Sequence, residues 1–395
     1  MTTLIRQQPD QFEGFGPSIL AKVARQATCG QSIPSDRMEA RAMLHDHCPL
    51  TPGVYGWLDR NNQLCYVGKS KSLRKRLLSY FAKTPSDPKM VRIQRHSHRI
   101  VWEPVSHELL ALIREQELIY RWRPDFNKQG QPTRRQPAYV GIAGGSAPKA
   151  SFARRVTKKL DFIVGPIAGT GRLRSAVDSL NQVFHLRDCP DRTRFQYNDQ
   201  SQLFGATDSA KCIRYELGTC PGPCASLCSK RAYLDNVNAL MRFLNLEDIS
   251  VLDQLSERMK TAGANLQYER AAILRDQLKQ LSWLVLRLTA LAEASEKLNG
   301  VLPIDSFGRR KLWLILRGGR LVGSAAEPKS AKRAAMALEK LASIATQTDA
   351  PATNLMEMNF QLMIMSACRK DAQLRKRLLS FDQASEVCQS LALGE

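Results

Sequence analysis

The stretch YVGKSKSLRKRLLSYF, residues 66 to 81, sets a short apolar strand against a glycine and then a run of cations. Five of the eight residues from Lys69 to Arg76 are Lys or Arg, and Leu77, Leu78, Tyr80 and Phe81 follow at once. Two readings compete: a solvated cationic helix face, or a helix whose first turns hold a phosphate. The start of a helix carries a positive dipole end and free backbone N–H groups, and both favour an anion. Lys69 falls just past Gly68, where a strand is expected to turn into a helix. Arg76 follows two turns on, along the same face. An ammonium and a guanidinium aimed at one spot suit a pentavalent phosphorus, because Arg holds two oxygens at once.

The rest of the composition agrees with a polyanionic partner. Lys plus Arg is 58 against 37 acids, a formal net charge of +21, which predicts strongly salt-dependent association. With 395 residues, 43% hydrophobic and 24% charged, the chain is long enough for roughly two to four folding units. No apolar run reaches the roughly 18 residues of a bilayer span, so a membrane partner is not expected. MTTLIRQQPDQFEG lacks a charged stretch followed by an apolar one, and the expected location is cytoplasmic. Ten cysteines are too few for a disulfide scaffold.

Working outward, PGVYGWLDRNNQLCYVG (52–68) has two apolar runs about the turn-rich DRNN and predicts a hairpin. RIVWEPV (99–105) is a third strand candidate. SHELLALIREQELIYRWR predicts a helix, with Leu109, Leu112, Ile113 and Gln116 at helical spacing and Pro124 as its stop. The expected class is α+β. Residues 1–48 read as an extension and 49–130 as a unit built on three antiparallel strands. Residues 131–249 read as a linker (QGQPTRRQP, GIAGGSAPKAS), then a helix over GRLRSAVDSLNQVFHL and a cysteine-rich segment. A helical hairpin is expected over 250–290, and a mixed α/β tail over 291–395, opening with the hairpin KLWLILRGGRLVGSA.

GVY (53–55), ten intervening residues, YVG (66–68), Lys69, Arg76, Glu115 and Asn127 together resemble the GIY-YIG endonuclease family, and within it the nuclease domain of the UvrC family. The resemblance covers about 80 residues and seven positions. It implies a DNA endonuclease of nucleotide excision repair acting on damaged duplex DNA. Tyr66 would be the general base, and Tyr55 would orient the water or the scissile phosphate. Lys69 and Arg76 would stabilise charge, Asn127 would fix the loop or the phosphate, and Glu115 would hold Mg²⁺ or Mn²⁺. A phenol with pKa near ~10 needs neighbouring cations to act as a base. Lys71, Arg74 and Lys75 are candidates for phosphate contacts. Glu108 and Glu117 read as ordinary salt-bridge residues, and His96 and His98 as surface or structural groups, with no carboxylate at ligand spacing.

Cys189, Cys212, Cys220 and Cys224 lack the paired C-x2-C spacing of zinc sites. Four looser thiolates suit an iron–sulfur cluster. The segment resembles the cysteine-rich region of the UvrC family, for which a [4Fe–4S] cluster is implied; Zn²⁺ and free thiols are the alternatives. Cys228 is a spare ligand or a plain thiol, and Cys29, Cys48, Cys65, Cys368 and Cys388 have no partner spacing. LQYERAAILRD (266–276) resembles the UVR motif, which implies UvrB as a partner, with Met259, Leu266, Tyr268, Ala272, Leu274 and Leu278 as contact candidates. An internal hairpin packed on the chain itself is the alternative. Asp349, Asp371 and Asp382 are scattered rather than clustered. A second nuclease centre is therefore not expected, as in the shorter, Cho-like members of the family, which cut 3′ to a lesion. Rival readings are a mobile-element nuclease and a UvrB-binding DNA adaptor without catalysis.

Overall fold

The computed structural model of the chain describes residues 12–83, 87–128, 136–157, 160–190, 192–199, 212–346, 351–352 and 354–393. It divides into two compact units: residues 1–132 with 294–350 and 354–395, and residues 133–293 with 351–353.

In the first unit a four-stranded sheet runs in the order β1-β4-β2-β3. Its strands are β1 (Cys29–Ser32), β2 (Gly53–Leu58), β3 (Leu64–Ser70) and β4 (Arg99–Pro104). The expected antiparallel trio is present, and β1 adds a fourth strand alongside β4. CGQS is short and polar, so no alternation announces it. The weak periodicity of residues 12–48 also conceals α1 (Arg37–His47), capped by the Asp36 carboxylate. The β2–β3 turn is held by Asp59, which accepts from the backbone N–H groups of Asn61 and Gln63 at 2.9 and 2.8 Å.

Helices α2 (Leu73–Tyr80), α3 (Pro88–His96), α4 (Glu108–Trp122) and α5 (Asp125–Lys128) complete this half. Strand β2 is buried on both faces, so its residues alternate between two cores. Tyr55 and Trp57 pack with Leu77, Tyr80, Ile93 and Trp102; Val54 and Leu58 pack with Phe12, Phe15, Val67, Leu118 and Trp122.

The second unit starts with a sheet where a linker was expected. Strands β5 (Ala138–Ala143), β6 (Lys149–Ala153) and β7 (Leu160–Ile167) form it in the order β6-β5-β7. GIAGGSAPKAS is the β5–β6 hairpin; its glycines and prolines mark the turn between strands of small residues. Helices α6 (Thr170–Val183), α7 (Ile213–Glu216), α8 (Lys230–Leu244), α9 (Val251–Ala264) and α10 (Tyr268–Lys297) follow. Leu173, Leu180, Leu240, Phe243, Leu255 and Leu284 share its core.

The tail returns to the first unit with β8 (Gly300–Ser306), β9 (Arg310–Arg317) and β10 (Arg320–Ala326) in the order β10-β9-β8. Gly318 and Gly319 turn the β9–β10 hairpin with φ of +55° and +73°, the geometry of a tight two-residue turn. Then come α11 (Ala331–Ala345), α12 (Leu355–Lys370), α13 (Ala372–Lys376) and α14 (Phe381–Leu393). One face of this sheet packs on α11 and α14 through Trp313, Ile315, Leu341 and Cys388. The other shares a core with Leu20, Ala24, α4 and α12. Asp371 caps α13, Asp382 lies in the first turn of α14, and Asp349 falls outside the described residues.

Candidate active site

The paired motifs meet across the β2–β3 hairpin, where Tyr55 lies opposite Gly68 and Trp57 opposite Tyr66. A Cβ on Gly68 would come 2.6 Å from the Tyr55 ring and hydroxyl. The glycine therefore lets that ring cross the neighbouring strand. The Tyr55 hydroxyl lies 3.1 Å from that of Tyr80 and accepts from Arg76 Nε at 3.1 Å. The Tyr66 ring stands 6.2 Å from Tyr55, and its hydroxyl joins the same cluster. Arg76 lies over the Tyr80 ring at 5.4 Å, and Lys89 from α3 over the Tyr66 ring at 5.1 Å. Tyr80 reads in the sequence as part of an apolar run. Its spacing of four from Arg76, one helical turn, is the signal that places the two together.

The phosphate-at-a-helix-start reading is corrected. Lys69 belongs to β3, and α2 begins only at Leu73. Lys69 and Arg76 thus share no helix face. The first N–H groups of α2 are also spoken for: Leu73 donates to the Thr51 carbonyl and Arg74 to that of Pro49, both at 3.0 Å. Strand continuation past Gly68 explains the difference, since Tyr66, Val67, Gly68, Lys69 and Ser70 all keep their partners on β2.

Glu115 comes from α4 and accepts from the backbone N–H of Lys69. Burial pushes its carboxyl up to about 7, and Lys69 offsets this only in part. The phenol of Tyr66 is also raised, first by burial, then by Tyr55 and Glu115; Arg76 pulls the other way. The neighbouring cations therefore do not by themselves ready that phenol for proton transfer. Lys69 Nζ lies 3.5 Å from Glu108, which Lys71 also meets at 2.8 Å. Glu117 is fully engaged elsewhere, with Arg114, Ser18 and the Ile19 N–H. Both carboxylates are salt-bridge residues, as expected.

Asn127 sits in α5, and its side chain takes both polar groups of Val67: Oδ1 accepts at 2.7 Å and Nδ2 donates at 2.8 Å. It fixes β3 between Tyr66 and Gly68, with one of its two amide N–H donors committed to the Val67 carbonyl. Lys71 and Lys75 are exposed, whereas Arg74 donates from Nε to the Cys48 carbonyl at 2.6 Å, a structural bond. His96 closes α3, bonded to the Arg92 carbonyl and set edge-on to Phe126; His98 is exposed.

Residues 51–128 match a model described as the UvrC-like GIY-YIG domain, 138–243 the middle domain of UvrC/Cho excinucleases, and 249–282 the UvrB/uvrC motif. The chain belongs to the UvrC family. The chain is 32% identical to the UvrABC system protein C of Pseudomonas fluorescens strain Pf0-1 over 274 residues, covering 69% of this chain and 43% of that one. The protein of the same name from Pseudomonas syringae pv. tomato is 32% identical over 278 residues, 70% and 44% of the two chains. This chain spans less than half the length of those UvrC relatives. A solved GIY-YIG N-terminal endonuclease domain of UvrC from Thermotoga maritima, bound to its catalytic magnesium, is 32% identical. The match covers 22% of this chain and 96% of that domain, with a TM-score of 0.20.

Within the UvrC middle-domain region, Cys189, Cys212, Cys220 and Cys224 line one cavity of about 130 Å³. Burial pushes the Cys220 thiol up to about 11, with Cys189, Cys224 and Cys212 adding to the shift, and burial raises Cys224 too. Among the described residues no three His, Cys, Asp or Glu side chains are placed to ligate a metal together. The four thiols share a chamber without closing on a common point, and Cys228 is not part of its lining. All ten cysteines are free.

In the UvrC-family UVR segment, α9 and α10 form the expected hairpin, although Gly263 lies within α9 and Leu266 takes the left-handed turn position at φ +57°. The contact candidates divide. Leu266 and Tyr268 stand 70% and 67% exposed, joined by Ile273, which sequence spacing missed. Leu274 instead enters the unit's own core with Leu255, Ala262 and Leu281, and Met259 and Leu278 pack against it. The hairpin packs on its own unit through this core, so Leu274 is corrected to a structural residue. Ala272 is half-buried. No helix among the described residues is long and apolar enough to cross a membrane.

Proposed function

We propose that this chain is a DNA endonuclease of nucleotide excision repair that hydrolyses one phosphodiester bond beside a lesion. The observation that carries the reading is the cluster of Tyr55 and Tyr66 from the GIY-YIG hairpin with Arg76 and Tyr80 from α2, and the Glu115 carboxylate held against β3. Glu115 is the residue suited to hold Mg²⁺ or Mn²⁺: a hard cation takes oxygen ligands, and a half-buried, partly desolvated carboxylate with one N–H partner gains from such a charge. When bound, the cation shields the phosphate oxygens and favours loss of a proton from nearby water.

Tyr66 acts as a base only after giving up its own phenolic proton to bulk water, a loss that Arg76 favours; its phenolate oxygen then receives the proton of the attacking water. Arg76 fixes the Tyr55 hydroxyl through Nε and offers its remaining N–H groups to a non-bridging oxygen, a preorganised donor set of the kind that stabilises developing charge. Lys69 supplies a second cation, once DNA draws it from Glu108. Asn127 keeps β3 in register. Lys71, Lys75, Lys89 and Arg95 surround this centre on α2, α3 and the loop before α2, and they follow the duplex backbone.

The four-cysteine chamber suits a [4Fe–4S] cluster better than a single Zn²⁺. The four donors lining it are all soft sulfur and lack the paired spacing of a zinc site, and loading would draw them together around the cluster. Leu266 at the hairpin turn and Tyr268 and Ile273 on the first turns of α10 are exposed apolar side chains, and we assign them to contact with UvrB, after the motif they lie in; the location we propose is cytoplasmic. The test is nicking of a lesion-bearing duplex with Mn²⁺ by the full chain and by Tyr66→Phe, with DNA affinity measured separately in EDTA. Loss of the general base should slow nicking by about 10²- to 10⁴-fold with binding unchanged. Equal nicking by the two proteins would overturn the assignment.

A further inference from the structure

We infer that residues 15–25, a strap outside the three family matches, are a positioning element for Glu115, an inference that rests on the metal reading of that residue. The argument starts at its sequence neighbour. Arg114 is fully buried, and its guanidinium reaches five oxygens of four groups. Nε and Nη2 grip Glu103 of β4 at 2.9 and 3.1 Å. Nη1 donates to Glu117 and to the Pro17 carbonyl, both at 2.9 Å, and Nη2 to the Gly16 carbonyl at 2.8 Å.

The strap completes this lattice. Ser18 Oγ and the Ile19 N–H donate to Glu117 at 2.5 and 2.6 Å; Arg25 meets Glu103 at 3.3 Å; Arg121 donates to the Phe15 carbonyl at 2.9 Å. Its other side is held by the tail sheet. Ser324 Oγ accepts from the Ala21 N–H at 2.9 Å and donates to the Ile19 carbonyl at 2.6 Å, and Ser306 Oγ donates to the Val23 carbonyl at 2.6 Å.

Buried charges tolerate few geometries, because a small rotation or slide of α4 would leave them unpaired in a dry interior. Arg114 and Glu115 are successive residues on one helix, about 100° apart around its axis. Whatever fixes the azimuth of Arg114 therefore fixes that of Glu115, and with it the carboxylate's approach to the Lys69 N–H. The strap and the tail sheet thus make a scaffold for a side chain that neither of them touches.

Gly16→Ala and Ser18→Ala loosen the strap while leaving Arg114 its carboxylate partners Glu103 and Glu117. Gly16 has φ +72°, and a Cβ there would strike Arg121 Nη1. Mn²⁺ binding to the full chain without DNA is followed by electron paramagnetic resonance, and nicking is assayed in parallel at saturating Mn²⁺. Supporting groups around metal ligands commonly change affinity about tenfold, so each variant should bind Mn²⁺ about tenfold more weakly, with kcat at saturating metal within about twofold. Leu341→Ala, on the opposite face of the tail sheet, controls for general loosening and should leave the affinity unchanged. Folded strap variants that bind like the parent, or an equal shift in Leu341→Ala, would overturn the inference. A Glu115→Gln titration runs alongside. If it removes Mn²⁺ binding while the strap variants do not weaken it, only the strap idea fails; if Glu115→Gln binds like the parent, the metal reading fails and takes the strap idea with it.

Discussion

Replacing Glu115 by Gln should make the metal-free protein more stable above neutral pH. Burial raises the Glu115 carboxyl from an ordinary value of 4.5 to about 7, and Lys69 opposes the shift. The folded state therefore holds its proton where the unfolded state has released it. Stability from this group is fully present below pH 4.5 and declines as pH rises through 7. At about 1.4 kcal/mol per pH unit, the 4.5-to-7 interval corresponds to about 3 kcal/mol. Gln keeps the shape and can still accept from the Lys69 N–H through its carbonyl oxygen, but it does not ionise. In urea denaturation with EDTA, the two proteins should nearly coincide at about pH 4, differ by about 1 kcal/mol at pH 5 and diverge to about 3 kcal/mol at pH 8, Gln being the more stable. The difference curve isolates Glu115: histidines are common to both proteins, and Tyr55, Tyr66 and Tyr80 are raised out of this range.

Metal reverses the order. The ionised fraction of a carboxyl with pKa near 7 rises from about 10% at pH 6 to about 90% at pH 8, so Mn²⁺ affinity of the parent should rise about tenfold. Glu115→Gln should show no such rise. Parallel stability curves for the two proteins from pH 5 to 8, or a parent whose Mn²⁺ affinity is flat across that range, would refute a half-buried, under-compensated carboxylate at this position.

Three other outcomes follow from the geometry. Asn127→Ala strands the Val67 N–H and carbonyl and should cost about 2–5 kcal/mol in urea denaturation, since each buried unpaired group costs about 1–3 kcal/mol. Lys71→Ala, Lys75→Ala and Lys89→Ala should each lower the slope of log affinity against log salt by about 0.9 for a duplex, measured without metal, if each side chain meets one phosphate. Cys220→Ser should lower the iron bound by anaerobically purified protein and its absorption near ~400 nm, the signature of thiolate-bound clusters; full retention of both would remove Cys220 from the ligand set.

The nuclease hairpin was legible because its signals are local. Tyr55, Gly68 and Tyr66 are brought together by a tight turn, and strand pairing follows from alternation. What escaped was written in polar or sparse residues. CGQS becomes a strand only because β4 offers it an edge, and the Arg114 lattice joins residues almost one hundred positions apart. The β5–β6 hairpin was hidden by glycine and proline, which mark turns within sheets as readily as linkers. Arg76 and Tyr80 show the reverse case: their separation of four was visible, but only a helix beginning at Leu73 gives it meaning.

Glu108, Glu115 and Glu117 pose the sharpest case, since all three lie on α4 and composition treats them alike. Their surroundings separate them. Glu108 is half-exposed and meets two lysines; Glu117 is buried but bonded to a guanidinium, a hydroxyl and an N–H. Glu115 is half-buried, with one backbone N–H and a lysine whose ammonium leans toward Glu108. A carboxylate removed from water must be neutralised by a proton or by a cation. For Glu117 the protein supplies that cation as Arg114. For Glu115 it supplies too little, so the group takes a proton when alone and is open to an external cation when one is offered. The deficit of partners, more than the residue type or its place in a motif, is what supports the proposal of Glu115 as the metal ligand.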